Sequence, residues 1–379
     1  MSDINFWNLV KNDITDFCKN IGSINTSKIL CPDIYKDYLE HSKIDNFEEK
    51  AKVTYEIINR YINNLNLKNI TIEKFISYSS KAVELSTMYL IDCDGKFTRF
   101  LNPAKDNSSF FSSYKIANEI AELTLNNITK KKIRILDPAG GVGILSFSLI
   151  LKLLSTKKFE AIELTIVEKN KTIFKYLDKI TKKILNYYKS KKIKLNLFNE
   201  DFFEFYQRKI NDRFDIIVMN PPYGRLRILK NYFSNKETSI YDKHKTFLKV
   251  KKNTLETLKK KVDNNISEFD LDKGLVDLSR TFVSLSSNLM EQDAVLTVIF
   301  PDSWMTSEQA YIFRKKILTF FSINHIKCIK ENKNLFETVN QPLCILSFSK
   351  KNSKKNFEIN YEDQFNDYNS FKLNFNKKT

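Results

Sequence analysis

Between residues 132 and 219 short apolar runs alternate with amphipathic stretches, and nothing else in the chain limits its fold so tightly. "KIRIL" (132–136) leads through a glycine-rich turn into "ILSFSLILKLL". "IELTIVE", ending at Glu168, precedes "KTIFKYLDKITKKIL", while "IKLNLFNED" and "FDIIVMN" flank the helix-like "FFEFYQRKI". Strands that are apolar throughout, rather than at every second position, belong to a parallel sheet covered on both faces by helices. The expected class is therefore α/β, a Rossmann-like sheet with helices on both faces. A helix at about 276–290, a strand "AVLTVIF" (294–300), a helix "SEQAYIFRKKILTFF", and the runs "HIKCIKE" and "PLCILSFSK" fit the far side of the same sheet.

Three flanking regions differ in texture. Residues 1–92 read as a small helical N-terminal domain, because Val53, Ile57, Ile58, Tyr61 and Ile62 recur at helical spacing and strand–turn alternation is lacking. The catalytic domain is expected over 93–350, with an insert at 224–275 and a polar, Asn/Lys-rich tail at 351–379 expected to lack order. The chain carries 62 Lys and Arg against 45 Asp and Glu, a formal charge of +17. Residues 224–261 alone hold twelve basic against three acidic residues. A basic excess concentrated in one long connection suits a polyanion such as nucleic acid. Arg225, Arg227, Lys230, Lys243 and Lys245 are the candidate phosphate contacts. Five scattered cysteines without a CxxC pair, and three histidines, indicate neither a zinc site nor a disulfide framework, so no metal is expected. With no signal-peptide pattern and no apolar stretch of membrane-spanning length, the expected location is the cytoplasm, away from membranes.

In "RILDPAGGVGIL" a strand runs into Asp137, and a turn containing Pro138, Ala139, Gly140, Gly141 and Gly143 opens a helix. Such a turn lets backbone approach a ligand and leaves a helix N-terminus open. Glu168 ends the next strand, where an acid can accept both hydroxyls of a ribose. Asp201, followed by Phe202, ends the third, placed to accept from an adenine amino group or to cap the helix after it. The turn lacks the third glycine of the dinucleotide fingerprint and the GK[ST] of a P-loop. S-adenosylmethionine fits better, having an adenosine and a cationic sulfonium but no phosphate, and Asp137 could face its charged methionine end.

The fourth strand ends in Asn220-Pro221-Pro222-Tyr223. Methyl transfer to an amino group on an aromatic base needs acceptors for its hydrogens and a flat surface for the ring. The Asn220 side-chain oxygen and the Pro221 carbonyl can accept, the prolines hold both with little entropy to lose, and Tyr223 offers a stacking face. A base within a duplex would have to be flipped out to reach them.

"DPAGGVG", Glu168, Asp201 and "NPPY" occur in the order seen in amino-group methyltransferases that modify adenine N6 in DNA, and the chain resembles their gamma class over about residues 95–350. "FFSSYKIANEIAEL" looks like that class's F-x-T-P segment and helix, which implies that Phe111 and Ser112 touch the cofactor. "AVLTVIFPDSWMTSEQAYIFRKKIL" is similar to its strand, Pro-x-x-Trp and helix, and "NLFETVNQPLCILSFSKK" to the next elements. By that match Phe336 is a second stacking residue opposite Tyr223. The resemblance implies a site-specific adenine methyltransferase dependent on S-adenosylmethionine, acting on double-stranded DNA in a restriction-modification or related defence system. Ser112-Ser113 replaces the class's Thr-Pro, Gly141 its usual cysteine, and Val142 a small polar residue. The 29 residues after Lys350 are too few for a target-recognition domain. A separate specificity subunit, a cognate restriction endonuclease, or the N-terminal helices and basic insert are the candidate partners or readers.

NPPY also occurs in enzymes that methylate a glutamine amide in peptide-release factors, and the basic charge suits an RNA base equally. Both alternatives stay open at the level of sequence, as does a catalytically idle cofactor-binding subunit. The upstream FFSSYKIA segment and the basic insert favour DNA.

Overall fold

The computed structural model describes residues 3–40, 42–100, 112–125, 128, 130–156, 159–188, 192–223, 225–227, 275–329, 342–350, 356–362 and 368–374. The chain starts with α1 (Asp3–Cys18), α2 (Asp33–Leu39), α3 (Phe47–Asn64) and α4 (Ile72–Met88). In α3 the buried set Phe47, Ala51, Val53, Thr54, Ile57, Ile58, Tyr61 and Ile62 forms one stripe, and Glu48 and Glu49 sit in the first turn, where the helix dipole favours negative charge. Thr71 caps α4 by accepting from the Lys74 N–H at 3.2 Å.

α4 then runs directly into β1 (Tyr89–Ile91), paired antiparallel with β2 (Phe97–Arg99). The Asp92 carboxylate holds the turn by accepting from the N–H groups of Asp94 (3.1 Å) and Lys96 (2.8 Å). Gly95 adopts φ +78°, and a Cβ there would lie 2.6 Å from Thr15 Cα of α1. The Thr15 hydroxyl donates to the Gly95 carbonyl at 3.0 Å. Residues 1–92 are thus helical, as read, except for a first strand that periodicity did not separate from the helix before it.

α5 (Tyr114–Leu125) is followed by the alternation expected from sequence: β3 (Lys132–Asp137), α6 (Ile144–Thr156), β4 (Ala161–Val167), α7 (Lys171–Tyr188), β5 (Ile193–Phe198), α8 (Phe202–Arg208) and β6 (Phe214–Met219). β7 (Arg225–Arg227) and β8 (Leu275–Asp277) pair antiparallel and close the base of the insert, whose residues 228–274 lie outside those described. Then come α9 (Leu278–Asn288), β9 (Met290–Pro301), α10 (Tyr311–Phe320), β10 (Ser322–Ile329), β11 (Leu343–Ser349), β12 (Asn356–Glu362) and β13 (Tyr368–Asn374).

Nine strands form one sheet in the order β13-β12-β10-β11-β9-β6-β3-β4-β5. β5, β4, β3, β6 and β9 are mutually parallel, while β11 runs antiparallel to both β9 and β10. Every residue of β6 and of β11 is buried, which explains why both sequences are mainly apolar, with Asp215, Ser347 and Ser349 as the exceptions. From β3 the chain winds out through β4 to β5 and then crosses to β6 on the other side of β3. The β3/β6 crevice is therefore the switch point where open α/β sheets take ligands at the carboxyl ends of their strands.

Two findings depart from expectation. The polar tail holds β12 and β13, which pair antiparallel with each other, β12 continuing the sheet parallel to β10. The polar composition of the tail masked the alternation of Phe357, Ile359 and Tyr361 that marks β12 as a strand. The N-terminal helices also share one continuous core with the sheet, from Trp7, Ile57 and Phe75 to Leu177, Val218 and Phe348. Lys183 of α7 fastens that junction, its Nζ donating to the carbonyls of Ile62 (2.8 Å), Asn63 (2.9 Å) and Leu65 (3.0 Å) at the end of α3. Those are carbonyls a helix terminus leaves without intrahelical partners. Among the described residues no helix is long and apolar enough to cross a membrane.

Candidate active site

Four consecutive parallel strands deliver their exits to one edge of the sheet. β3 ends in Asp137, which is 1% exposed. Its carboxylate accepts from the Ser146 hydroxyl at 2.8 Å and, more weakly, from the Ala139 N–H at 3.3 Å. Burial pushes its pKa up to about 7, against the pull of those two donors. Asp137 was expected to face the methionine end of a cofactor. Through these two bonds it closes the turn from within.

The glycine turn is held tightly. The Gly140 N–H donates to the Val167 carbonyl at 2.9 Å, and a Cβ at Gly140 would lie 2.1 Å from Ile166 Cγ2, so only glycine fits between the two strands. Gly141 and Gly143 take φ +54° and +84°. Pro138 is buried and Ala139 half-buried beside them.

Glu168 follows β4 at the lip of this turn. Its Oε2 accepts from the Gly141 N–H at 2.9 Å and its Oε1 from the Asn170 N–H at 2.6 Å. Its pKa is pushed up to about 7, chiefly by burial, with the nearby Asp137 adding to it. Two main-chain donors therefore orient a carboxylate that has about four lone-pair sites. Asp201 after β5 caps α8, accepting from the Phe203 N–H at 2.9 Å, and pairs with the exposed Lys169 at 2.7 Å. Of the two roles weighed for Asp201, the helix cap is the one these bonds show. Phe202 is buried against Phe282, ring centroids 4.9 Å apart, as part of an aromatic cluster under α8.

β6 ends at Asn220. Its Nδ2 donates to the Ser112 hydroxyl oxygen at 3.1 Å, joining the residue before α5 to the NPPY turn across 108 positions of sequence. That bond turns the amide oxygen the other way. Pro221 is buried and Pro222 half-buried. Tyr223 is 4% exposed, with its hydroxyl donating to the Ile299 carbonyl of β9 at 3.2 Å, and burial holds its phenol well above the usual range and neutral. The stacking face expected of Tyr223 is covered in this conformation, since the ring fills space beside β9.

The structure thus gathers Ser112, Asp137, Pro138 to Gly141, Gly143, Glu168, Asp201 and Asn220 to Tyr223 on a single sheet edge. Arg225 and Arg227 lie on β7. Phe111, Lys230, Lys243, Lys245 and Phe336 lie outside the described residues. Sequence reading missed Ser146, Asn170 and Lys169. Ser146 carried a signal, because a serine in the buried, mainly apolar first turns of a helix calls for a hydrogen-bond partner nearby.

Residues 114–336, more than half of the chain, match the Eco57I restriction-modification methylase family. The chain belongs to that family. It is accordingly a methyltransferase of restriction-modification type, as the order of its motifs implied. A comparison with curated proteins finds no match. Among solved structures, one from Listeria monocytogenes, provisionally described as a class I S-adenosylmethionine-dependent methyltransferase, aligns over 93% of both chains with TM-score 0.53 and 16% identity. A modification subunit from Vibrio vulnificus YJ016, provisionally described as part of a type I restriction enzyme, aligns with TM-score 0.50 and 11% identity over 84% of this chain and 62% of its own. A DrdV–DNA complex aligns with TM-score 0.52 and 16% identity over 84% of this chain and 32% of its own. At these identities the likeness is one of fold, that of the S-adenosylmethionine-dependent methyltransferases. The chain spans less than two thirds of the length of the Vibrio vulnificus and DrdV chains.

Proposed function

We propose that the protein transfers a methyl group from S-adenosylmethionine to the N6 amino group of adenine in double-stranded DNA, as the modification component of a restriction-modification or related defence system in the cytoplasm. The carrying observation is the fixed amide of Asn220, held by Ser112 on the same sheet edge as the oriented carboxylate of Glu168. The residues present fit the cofactor: Glu168 accepts from a ribose diol, Asp201 lies at the next strand exit for the adenine amino group, and the glycine turn keeps backbone close. When bound, S-adenosylmethionine supplies an electrophilic methyl group.

Asn220 and the Pro221 carbonyl accept the two hydrogens of the target amino group and hold its nitrogen lone pair towards the methyl. No charged base is required, because the proton leaves only after the nitrogen has become cationic. Tyr223, kept neutral by burial, cannot serve as one and is assigned to stacking, with Phe336 on the other face of a flipped base. Stacking requires Tyr223 to be uncovered when DNA binds. Arg225, Arg227 and the lysines of the insert are assigned to the phosphate backbone, and a specificity subunit or cognate endonuclease to target choice or cleavage.

Transfer of a tritiated methyl group to duplex DNA, followed by nucleoside analysis, tests this reading. The expected product is N6-methyladenine. Label found only in RNA or in a protein glutamine would overturn the substrate while leaving the amino-group pocket standing.

A further inference from the structure

A cavity of about 170 Å³ lies between the N-terminal helices and the start of α5, lined by Phe6, Lys81, Glu84, Ser112, Ser113 and Ile144 among others. It abuts the proposed transfer site on two sides. Ser112 is the hydroxyl that holds Asn220, and Ile144 directly follows Gly143 of the glycine turn. Whole-ligand sites usually span about 300–1,000 Å³, so this space suits one end of a ligand rather than a nucleoside.

Its most unusual lining is charged. Lys81 and Glu84, one turn apart on α4, form an ion pair at 2.5 Å with side chains only 15% and 9% exposed. The Lys81 Nζ also lies 4.2 Å from the centroid of the buried Trp7 ring. A buried ion pair contributes little to stability once desolvation is counted, so its position in a cavity wall calls for a role. The two charges are those that complement an α-amino acid, whose carboxylate suits an ammonium and whose ammonium suits a carboxylate. Both residues precede the segment matched by the family, which begins at residue 114.

We infer that Lys81 and Glu84 bind the amino-acid end of the methyl donor, Lys81 taking its α-carboxylate and Glu84 its α-ammonium, so that the N-terminal helices complete the cofactor site. This rests on the cofactor reading given above. In the absence of ligand the pair neutralises itself, and binding exchanges one internal ion pair for two to the ligand. Ser112 and Ser113 add hydroxyls on the side of the cavity nearest Asn220.

The test is calorimetric titration of the full chain with S-adenosylhomocysteine and with 5′-methylthioadenosine, which keeps the nucleoside and thioether but lacks the amino-acid end. The wild type should bind S-adenosylhomocysteine more tightly. Lys81→Met and Glu84→Gln should each weaken that ligand about 10- to 100-fold and leave 5′-methylthioadenosine unchanged. The exchanged double variant, Lys81→Glu with Glu84→Lys, keeps an ion pair and so guards against simple misfolding, and it should remain weak. Wild-type affinity in either single variant, restored affinity in the exchanged variant, or equal loss of both ligands would each overturn the assignment. Failure of the wild type to bind either ligand would instead overturn the cofactor reading, and this inference with it.

Discussion

Glu163 and Glu168 stand at opposite ends of the same strand, β4, and their surroundings have opposite electrostatic character. Glu163, at the amino end, pairs with Lys194 at 2.9 Å and Arg134 at 3.3 Å and accepts from Asn196 at 2.8 Å. The Lys194 bond, above all, holds its carboxyl below the usual range. Asp215 on the same edge is matched likewise, by Lys130 at 2.5 Å and by the Arg134 N–H at 2.9 Å. At the carboxyl end Glu168 and Asp137 have no ion pair among the described residues, only uncharged donors, and burial lifts both to about 7. One edge of the sheet is closed by charge matching. The other keeps acids that ionise fully only at a cost, and perturbed carboxyls of that kind cluster where ligands bind.

The largest effect that would sharpen this contrast lies at the carboxyl edge. Asn220→Ala should lower methyl transfer to duplex DNA by at least about 10²–10³-fold, the scale seen on removing a positioned polar group, while S-adenosylhomocysteine still binds. Transfer at the wild-type rate would remove Asn220 from the chemistry. Next comes Glu168→Gln, which should weaken S-adenosylhomocysteine about 10- to 100-fold. The pH dependence has a definite sign. Glu168 has a raised folded-state pKa, so its contribution to folding is present at low pH and is lost as pH rises through about 7. Ribose hydroxyls donate to the ionised form, so wild-type affinity should tighten between pH 6 and 8, and the Gln variant should show a flat profile by titration calorimetry.

Changes at the amino edge should register in stability alone. Asp215→Ala leaves a main-chain N–H and Lys130 without their acceptor and should cost about 1–3 kcal/mol in urea unfolding, with ligand affinity unchanged. The smallest effect is expected of Glu163→Gln, under about 1 kcal/mol because the pairs are solvent-screened. Its lowered pKa means that its stabilisation is present above the ordinary glutamate range and disappears on acidification through the folded-state value, the reverse of Glu168. A ligand-binding defect in either amino-edge variant would break the comparison.

The legibility of these features followed from what each depends on. β3, β4, β6, β9, β10 and β11 were readable because strands packed within the sheet are mainly apolar and are punctuated where they leave it, and β5, an edge strand with no fully buried residue, because Ile193, Leu195 and Leu197 alternate along it. The strand-end acids and Asn220 were readable for the same reason, being polar groups at the ends of apolar runs. β12 and β13 were not, because the Asn/Lys-rich composition of the tail outweighed the short alternation of Phe357, Ile359 and Tyr361. Nor could sequence show that Asp137 turns inward to Ser146 or that Tyr223 spends its hydroxyl on Ile299. Those outcomes depend on which partner is nearest after folding. The separation of residues 1–92 from the remainder came from a change of texture, and texture does not reveal that two regions bury their apolar faces against each other.

Lys183 and the undivided core have a practical consequence for anyone cutting the gene. The family boundary at residue 114 is a natural place to truncate, yet a chain begun there would present to water the surfaces of α6 and α7 that α2 and α4 now cover. Such a fragment would have the sequence motifs of a methyltransferase and the solution behaviour of an unfolded protein, aggregating or being degraded before any cofactor could be offered to it. In this chain the boundary of similarity and the boundary of folding do not coincide.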